Sequence, residues 1–189
     1  LINKGFKNVY GIDLSKNAIK FCKKLGIKNV FFMDGAKTKF KDKSFDLIIS
    51  SDSLEHIKDD KKALNEWYRI LKNNGKLIIF VPAFNFLWSK HDELNYHYRR
   101  YSRKQLVKVL RKAKFKIIRT SYWNFILFFP ISLIKLLQRF FLKNKPQLYK
   151  FPKFLNTPLI YILKLENIFI KKFNLPIGVS VFVISKKVL

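Results

Sequence analysis

Two acidic residues stand where short apolar runs end: Asp13 in "NVYGIDLS" and Asp34 in "FFMDGAK". An ionised carboxylate at the rim of a parallel sheet can accept both hydroxyl protons of a ribose. Asp34, one run further on, falls where an adenine edge would donate its amino proton. A single Asp at such a position is commonly a turn former or a helix cap. Two at consecutive strand ends point instead to a nucleoside. A third apolar run empties into "SSDSLEHI", Ser50 to Ile57, and gives the same rim another set of polar groups.

These residues need elements to hold them. Through the first 120 residues strand and helix patterns alternate, which predicts a parallel sheet with helical crossovers. The strands expected are Asn8 to Leu14, Asn29 to Met33, Phe45 to Ser50 and Lys76 to Val81, apolar enough to be covered on both faces. Helices are expected from Lys16 to Leu25, closed by Gly26, and from Lys61 to Leu71, closed by "NNG" at Asn73 to Gly75. Ser102 and Gln105 form a capping box that starts another helix, and Lys114 to Asn124 reads as a strand. Beyond it Pro130 and Pro158 (behind Thr157) look like first-turn prolines of two helices. Ser132, Lys135, Arg139 and Lys143 draw a narrow polar stripe on the first, and Lys164, Asn167 and Lys171 on the second. Gly178 to Ser185 closes the chain as a strand.

"VYGIDLS", "FFMDGAKTKFKDKSFDLIISSDSLEHIKD" and "YRILKNNGKLIIFVP" together resemble consecutive segments of class I S-adenosylmethionine-dependent methyltransferases. The resemblance covers about the first 85 residues in order and spacing, which is more specific than any one motif. It implies an α/β Rossmann-like sheet in strand order 3-2-1-4-5-7-6, with the last strand antiparallel. It implies S-adenosylmethionine as cofactor, with Asp13 on the ribose, Leu14 against the adenine, Asp34 and Gly35 at the adenine edge, and Ser51 near the methionine part. The family's first strand and its GxGxG loop have no counterpart. The chain opens at Leu1 in what reads as a helix tail, so an N-terminally truncated fragment is expected. The sheet should then gape between two strands, and the chain should bind cofactor weakly and fold poorly. One methyltransferase domain is expected, with a cofactor-binding core over 1–124, a basic apolar helical insertion over 125–176 and a final core strand over 177–189.

"LWSKHDELNYHYRRYSRKQL" resembles a segment of some of these enzymes, D-x-x-x-G-H-x-R-R-Y. Asp92, His97, Arg99, Arg100 and Tyr101 match, and Tyr96 replaces the glycine. His97 or His91 is the expected general base on an acceptor hydroxyl. Arg99, Arg100 and Tyr101 are the expected substrate-binding group. The competing structural role is a hydrogen-bonded loop lock. Asp52, Glu55 and His56 resemble the acidic–histidine metal group of quinone-pathway O-methyltransferases, but "LEHI" is more simply the start of a helix, and no metal is assigned. His91 and His97 lack the spacing of known zinc sites.

Lysine and arginine number 39 against 12 acids, and over 101–189 Glu166 is the only acid among 19 basic residues. Such a cationic region attracts phosphate. The basic residues alternate with Leu, Ile and Phe, unlike a nucleic-acid-binding module, and suit an anionic membrane surface. The apolar run from Phe125 to Ile134 is too short to span a bilayer before Lys135. One cysteine, Cys22, excludes an internal disulfide and fits a reducing compartment. The expected protein is cytoplasmic, peripheral on the inner face of the membrane, and methylates a small-molecule or lipid-linked acceptor. The alternatives are quinone-pathway O-methylation and a non-catalytic membrane-binding protein on the same scaffold.

Overall fold

The computed structural model describes residues 5, 6, 8–141 and 153–188. Lys143, the opening residues of the expected N-terminal helix tail and Leu189 lie outside them.

Strand β1 (Gly11–Asp13) runs through a turn into α1 (Lys16–Lys24) and returns as β2 (Val30–Phe32). Ser15 caps α1 by accepting the Ala18 N–H at 3.2 Å, and Gly26, at φ +80°, lets the chain leave it. The two strands pair in parallel, Gly11 opposite Val30 and Asp13 opposite Phe32. Next come β3 (Phe45–Ser51), α2 (Asp60–Ile70) and β4 (Leu71–Pro82). The Asp59 carboxylate caps α2 through the Lys62 N–H, 2.9 Å away. Strand β4 begins earlier than its apolar run because "NNG" folds beside β3 as part of it. A Cβ on Gly75 would lie 2.8 Å from the Lys72 carbonyl oxygen and 3.2 Å from that of Phe45, so only glycine lets the backbones approach.

The chain then forms α3 (Lys90–Leu94), α4 (Arg103–Lys112), β5 (Phe115–Trp123), α5 (Phe125–Phe141), α6 (Lys153–Lys172) and β6 (Ser180–Lys187). The larger sheet has order β3-β4-β6-β5, parallel between β3 and β4 and antiparallel on both sides of β6. Its core joins Leu77, Ile79 and Val81 of β4 and Val181 and Val183 of β6 to Leu64 of α2 and Leu106 and Leu110 of α4, all inaccessible to solvent.

Among the described residues no strand joins β1 to β3, so the sheet is open there as the sequence predicts. Side chains bridge the two parts instead. Tyr10 and Phe31 pack with Phe40 and Phe45, the Phe40 and Phe45 rings 4.8 Å apart edge to face. The loop after Asp34 is tied to α2 by Glu66, which accepts the Thr38 N–H at 2.8 Å and is held by Arg69. The opening corrects one expectation: β1, β2 and β3 are not covered on both faces. Phe31, Phe32, Leu47 and Ile49 are all exposed.

The helical region brings two more corrections. Neither proline stands in a first turn; Pro130 and Pro158 lie inside α5 and α6. Asn124, at φ +60°, turns the chain, and Glu166 accepts the Ile126 N–H at 3.2 Å, so α5 begins a turn and a half before Pro130. Arg119 of β5 donates to the carbonyls of Ile170, Lys171 and Phe173, closing the end of α6.

Candidate functional site

Asp13, Asp34, Ser51 and the segment from Asp92 to Tyr101 lie at or after the carboxyl ends of β1, β2, β3 and β4. Asp13 ends β1 and accepts the Ser15 N–H at 2.6 Å; Asp34 follows β2 and accepts the Ala36 N–H at 2.8 Å. Each carboxylate thus shapes a turn with one oxygen, a structural role that a nucleoside would share. The Met33 N–H reaches the Asp13 carbonyl at 3.2 Å, which holds the two strand ends side by side. Leu14 is exposed beside them. The Gly35 carbonyl accepts the Trp67 indole N–H at 2.9 Å, and Ile12 and Ile57 close around the space its Cβ would take. Ser51 stands at the end of β3 on the other sheet, its hydroxyl 3.2 Å from the Asp52 carboxylate. The structure therefore gathers Asp13, Leu14, Asp34 and Gly35 on the small sheet, and Ser51 across the opening.

The segment after β4 is built around Asp92. Fully buried, Asp92 accepts from Arg100 Nε at 2.7 Å and Nη2 at 3.1 Å, from the Ser89 N–H at 2.8 Å, and pairs with His97 Nδ1 at 2.9 Å. Burial works against its charge, but the guanidinium more than offsets this and holds the carboxyl down to about 2. His97 moves below the usual histidine range, burial outweighing the Asp92 hydrogen bond. Its Nδ1 is committed to Asp92, which leaves Nε2. His91 is elsewhere: exposed on α3, it meets Asn95.

The expected substrate-binding residues are engaged internally. Arg100 is buried on Asp92 and the Ala83 carbonyl. The Tyr101 hydroxyl donates to Asp60 at 2.9 Å, and its titration moves far up because the ring is buried and Asp60 is anionic. Arg99 reaches the Lys58 carbonyl and Asp60 and stays partly accessible. Tyr96, where the segment otherwise has glycine, adopts φ +56° with its ring in solvent. Asp52 at φ +46° and Phe84 at φ +57° are also left-handed, so three non-glycine residues near this rim hold a disfavoured backbone.

"LEHI" does not begin an α-helix. Leu54–His56 is a single 3-10 turn, and α2 starts at Asp60. The turn buries Glu55 completely, with neither carboxylate oxygen hydrogen-bonded, and burial raises its pKa to about 8. The Tyr98 N–H donates to the Glu55 carbonyl at 2.8 Å, which draws the turn against the His97 segment. The His56 and His97 rings meet edge to face with centroids 4.5 Å apart. One ligand atom from each of Glu55, His56 and His97 falls within 4.8 Å of the others. The sequence grouped Glu55 and His56 with Asp52, and His97 with His91; the fold exchanges the partners. What could have revealed this is that both segments follow the ends of adjacent parallel strands.

Residues 1–79 match the family described as "Methyltransferase domain". An uncharacterized protein of Methanocaldococcus jannaschii is 32% identical over 125 residues, 62% of this chain and 60% of that protein. A ubiquinone/menaquinone biosynthesis C-methyltransferase of Wigglesworthia glossinidia brevipalpis is 31% identical over 108 residues, 51% of this chain and 42% of that enzyme. The chain thus spans 60% or less of the length of either relative. The structure of Haemonchus contortus phosphoethanolamine N-methyltransferase 2 in complex with S-adenosyl-L-methionine superposes with TM-score 0.57 at 24% identity, over 96% of this chain and 43% of that one. The match over residues 1–79 places the first part of the chain with methyltransferase domains, and the order of its strands gives it the α/β Rossmann-like fold of S-adenosylmethionine-dependent methyltransferases.

Proposed function

We propose that this chain is the catalytic part of an enzyme that moves the methyl group of S-adenosylmethionine to a nucleophile on a membrane-associated acceptor. The observation that carries it is the pairing of Asp13 and Asp34 at neighbouring parallel strand ends within a methyltransferase-family segment. Asp13 would hold the ribose hydroxyls, Leu14 would pack on the adenine, Asp34 and Gly35 would meet its edge, and Ser51 would lie toward the methionine part. S-adenosylmethionine, when bound, would supply an electrophilic sulfonium methyl that passes in line to the acceptor, the sulfur leaving as a neutral thioether. A hydroxyl or amine acceptor also loses a proton. That proton departs on the His97 side, where the ring is oriented by Asp92, and the chain's task is alignment and exclusion of water. His91 is not needed for it. Arg99 is partly accessible and would meet an acidic group on the acceptor, with Arg100 and Tyr101 as its scaffold.

The membrane part is supported by α5 and α6. Phe129, Leu133, Leu136 and Leu137 on the first helix, Tyr161, Leu165, Ile168 and Phe169 on the second, and Phe173 just past its end are exposed, among lysines and with Glu166 buried. Among the described residues no helix is long and apolar enough to cross a membrane, so contact would be along a surface.

Calorimetric titration of S-adenosylmethionine into the protein, in the longest form its gene encodes, tests the cofactor assignment against an Asp13→Ala variant. We expect affinity to fall at least ~10-fold, the worth of one charge-assisted pair of hydrogen bonds. Equal affinity for the two proteins removes the ribose role of Asp13.

A further inference from the structure

We propose that Glu55, His56 and His97 form a binding site for a first-row divalent metal ion of the zinc class. Glu55 is the decisive residue. Its side chain is fully buried, and neither oxygen has a hydrogen-bond partner. An interior carboxyl left in that state costs folding free energy, and a cation beside it removes the cost. Two imidazoles stand at the same point, and ligand atoms from all three residues lie within 4.8 Å of one another. One carboxylate oxygen and two imidazole nitrogens are a donor set that suits zinc, leaving one position open; magnesium and calcium prefer oxygen throughout.

The surroundings are organised in the same sense. His97 gives its Nδ1 side to Asp92 at 2.9 Å, as metal-binding histidines do toward a carboxylate, and Nε2 is the nitrogen left for an ion. Asp92 is fixed in turn by Arg100 and Ser89. The Tyr98 N–H to Glu55 carbonyl hydrogen bond pins the two segments at the cluster itself. His56 is exposed on the solvent side and gives an ion a route in. Asp52 is not one of the ligands; its carboxylate faces Ser51. On the methyl-transfer reading proposed above, an ion held by Glu55, His56 and His97 would lower the pKa of an acceptor oxygen beside it, so that the proton leaving on the His97 side would pass to solvent. The site does not depend on that chemistry.

The test needs no methyl donor, so its outcome is separate from that of the cofactor titration. The protein, in the longest form its gene encodes, is stripped with chelator and titrated with zinc chloride, alongside Glu55→Gln and His56→Ala. We expect one ion per chain in the wild type and affinity at least ~100-fold weaker in each variant, since loss of an outer partner such as Asp92 costs about 10- to 100-fold. Zinc should also raise the melting temperature of the wild type and move the variants less. Because His56 is exposed, His56→Ala keeps the test decisive should Glu55→Gln fail to fold. No zinc binding by the wild type, or unchanged affinity in a folded His56→Ala, overturns the site.

Discussion

Single residues around the rim carry two jobs at once. Asp13 and Asp34 each close a local turn, and Asp92 orients both an arginine and a histidine. Tyr96 exposes a conflict of this sort. The segment it belongs to otherwise has glycine there, and the backbone keeps the left-handed angle that suits glycine, φ +56°. With its ring in solvent, tyrosine has little packing to set against that strain. Tyr96→Gly should therefore stabilise the protein by up to ~1 kcal/mol, the usual cost of a side chain in this region less glycine's extra chain entropy. Chemical denaturation of the two proteins measures it, and a variant that is less stable would show that the ring makes a contact worth more than the strain.

At the scale of elements, α5 reaches back to the site. Lys135 extends from its inner side to donate to the Leu87 carbonyl at 2.7 Å, and Phe128 packs on Phe84 and Phe86. Burial, with Arg100 as a nearby like charge and Asp92 opposing it, lowers the Lys135 pKa from 10.5 to about 8. Below pH 8 the ammonium is present in both folded and unfolded chains, and its burial destabilises in full. Between about 8 and 10.5 only the unfolded chain holds the proton, so this lysine's contribution to stability rises with pH. Lys135→Met should therefore be more stable than the wild type at pH 7, by a margin that shrinks as pH approaches 10. Urea midpoints of both proteins across that range would show it. A constant margin would mean that α5 does not bury this side chain.

For the whole molecule, charge and apolar exposure lie together. The chain carries a formal net charge of +27, and large apolar side chains such as Phe129 and Leu133 of α5 and Leu165 and Phe169 of α6 are exposed. Each basic residue near an anionic bilayer contributes ~1 kcal/mol, and the apolar faces add to that by insertion. Sedimentation with vesicles of mixed phosphatidylcholine and phosphatidylserine should pull the protein down, whereas pure phosphatidylcholine should not. Phe129→Asp with Phe169→Asp should abolish the effect. Retained binding by the double variant would assign it to charge alone.

The caps at Ser15 and Asp59 emerged only with the fold, whereas the alternation of short apolar runs with helices, the ends marked by Ser102 and Gly26, and the acids at the strand ends were all legible in the letters. Each is a local signal: a cap needs one side chain and a few backbone amides, and a strand needs a few consecutive residues. The order of strands and the antiparallel last strand were legible only through resemblance to a family. The starts of α5 and α6 were not legible, because Glu166 and Asn124 set the first and a proline within a helix gives no sign of how far the helix reaches back. Nor was the burial of Glu55. Sequence neighbours suggested Asp52 as its companion, but a 3-10 turn directs the side chain inward, and a backbone hydrogen bond from Tyr98 brings His97 to it. The sequence by itself determined which elements form and which chemistry-bearing residues stand at their ends. Only the tertiary structure decided which of those residues meet, because contacts between distant segments depend on crossovers and packing that no local pattern encodes.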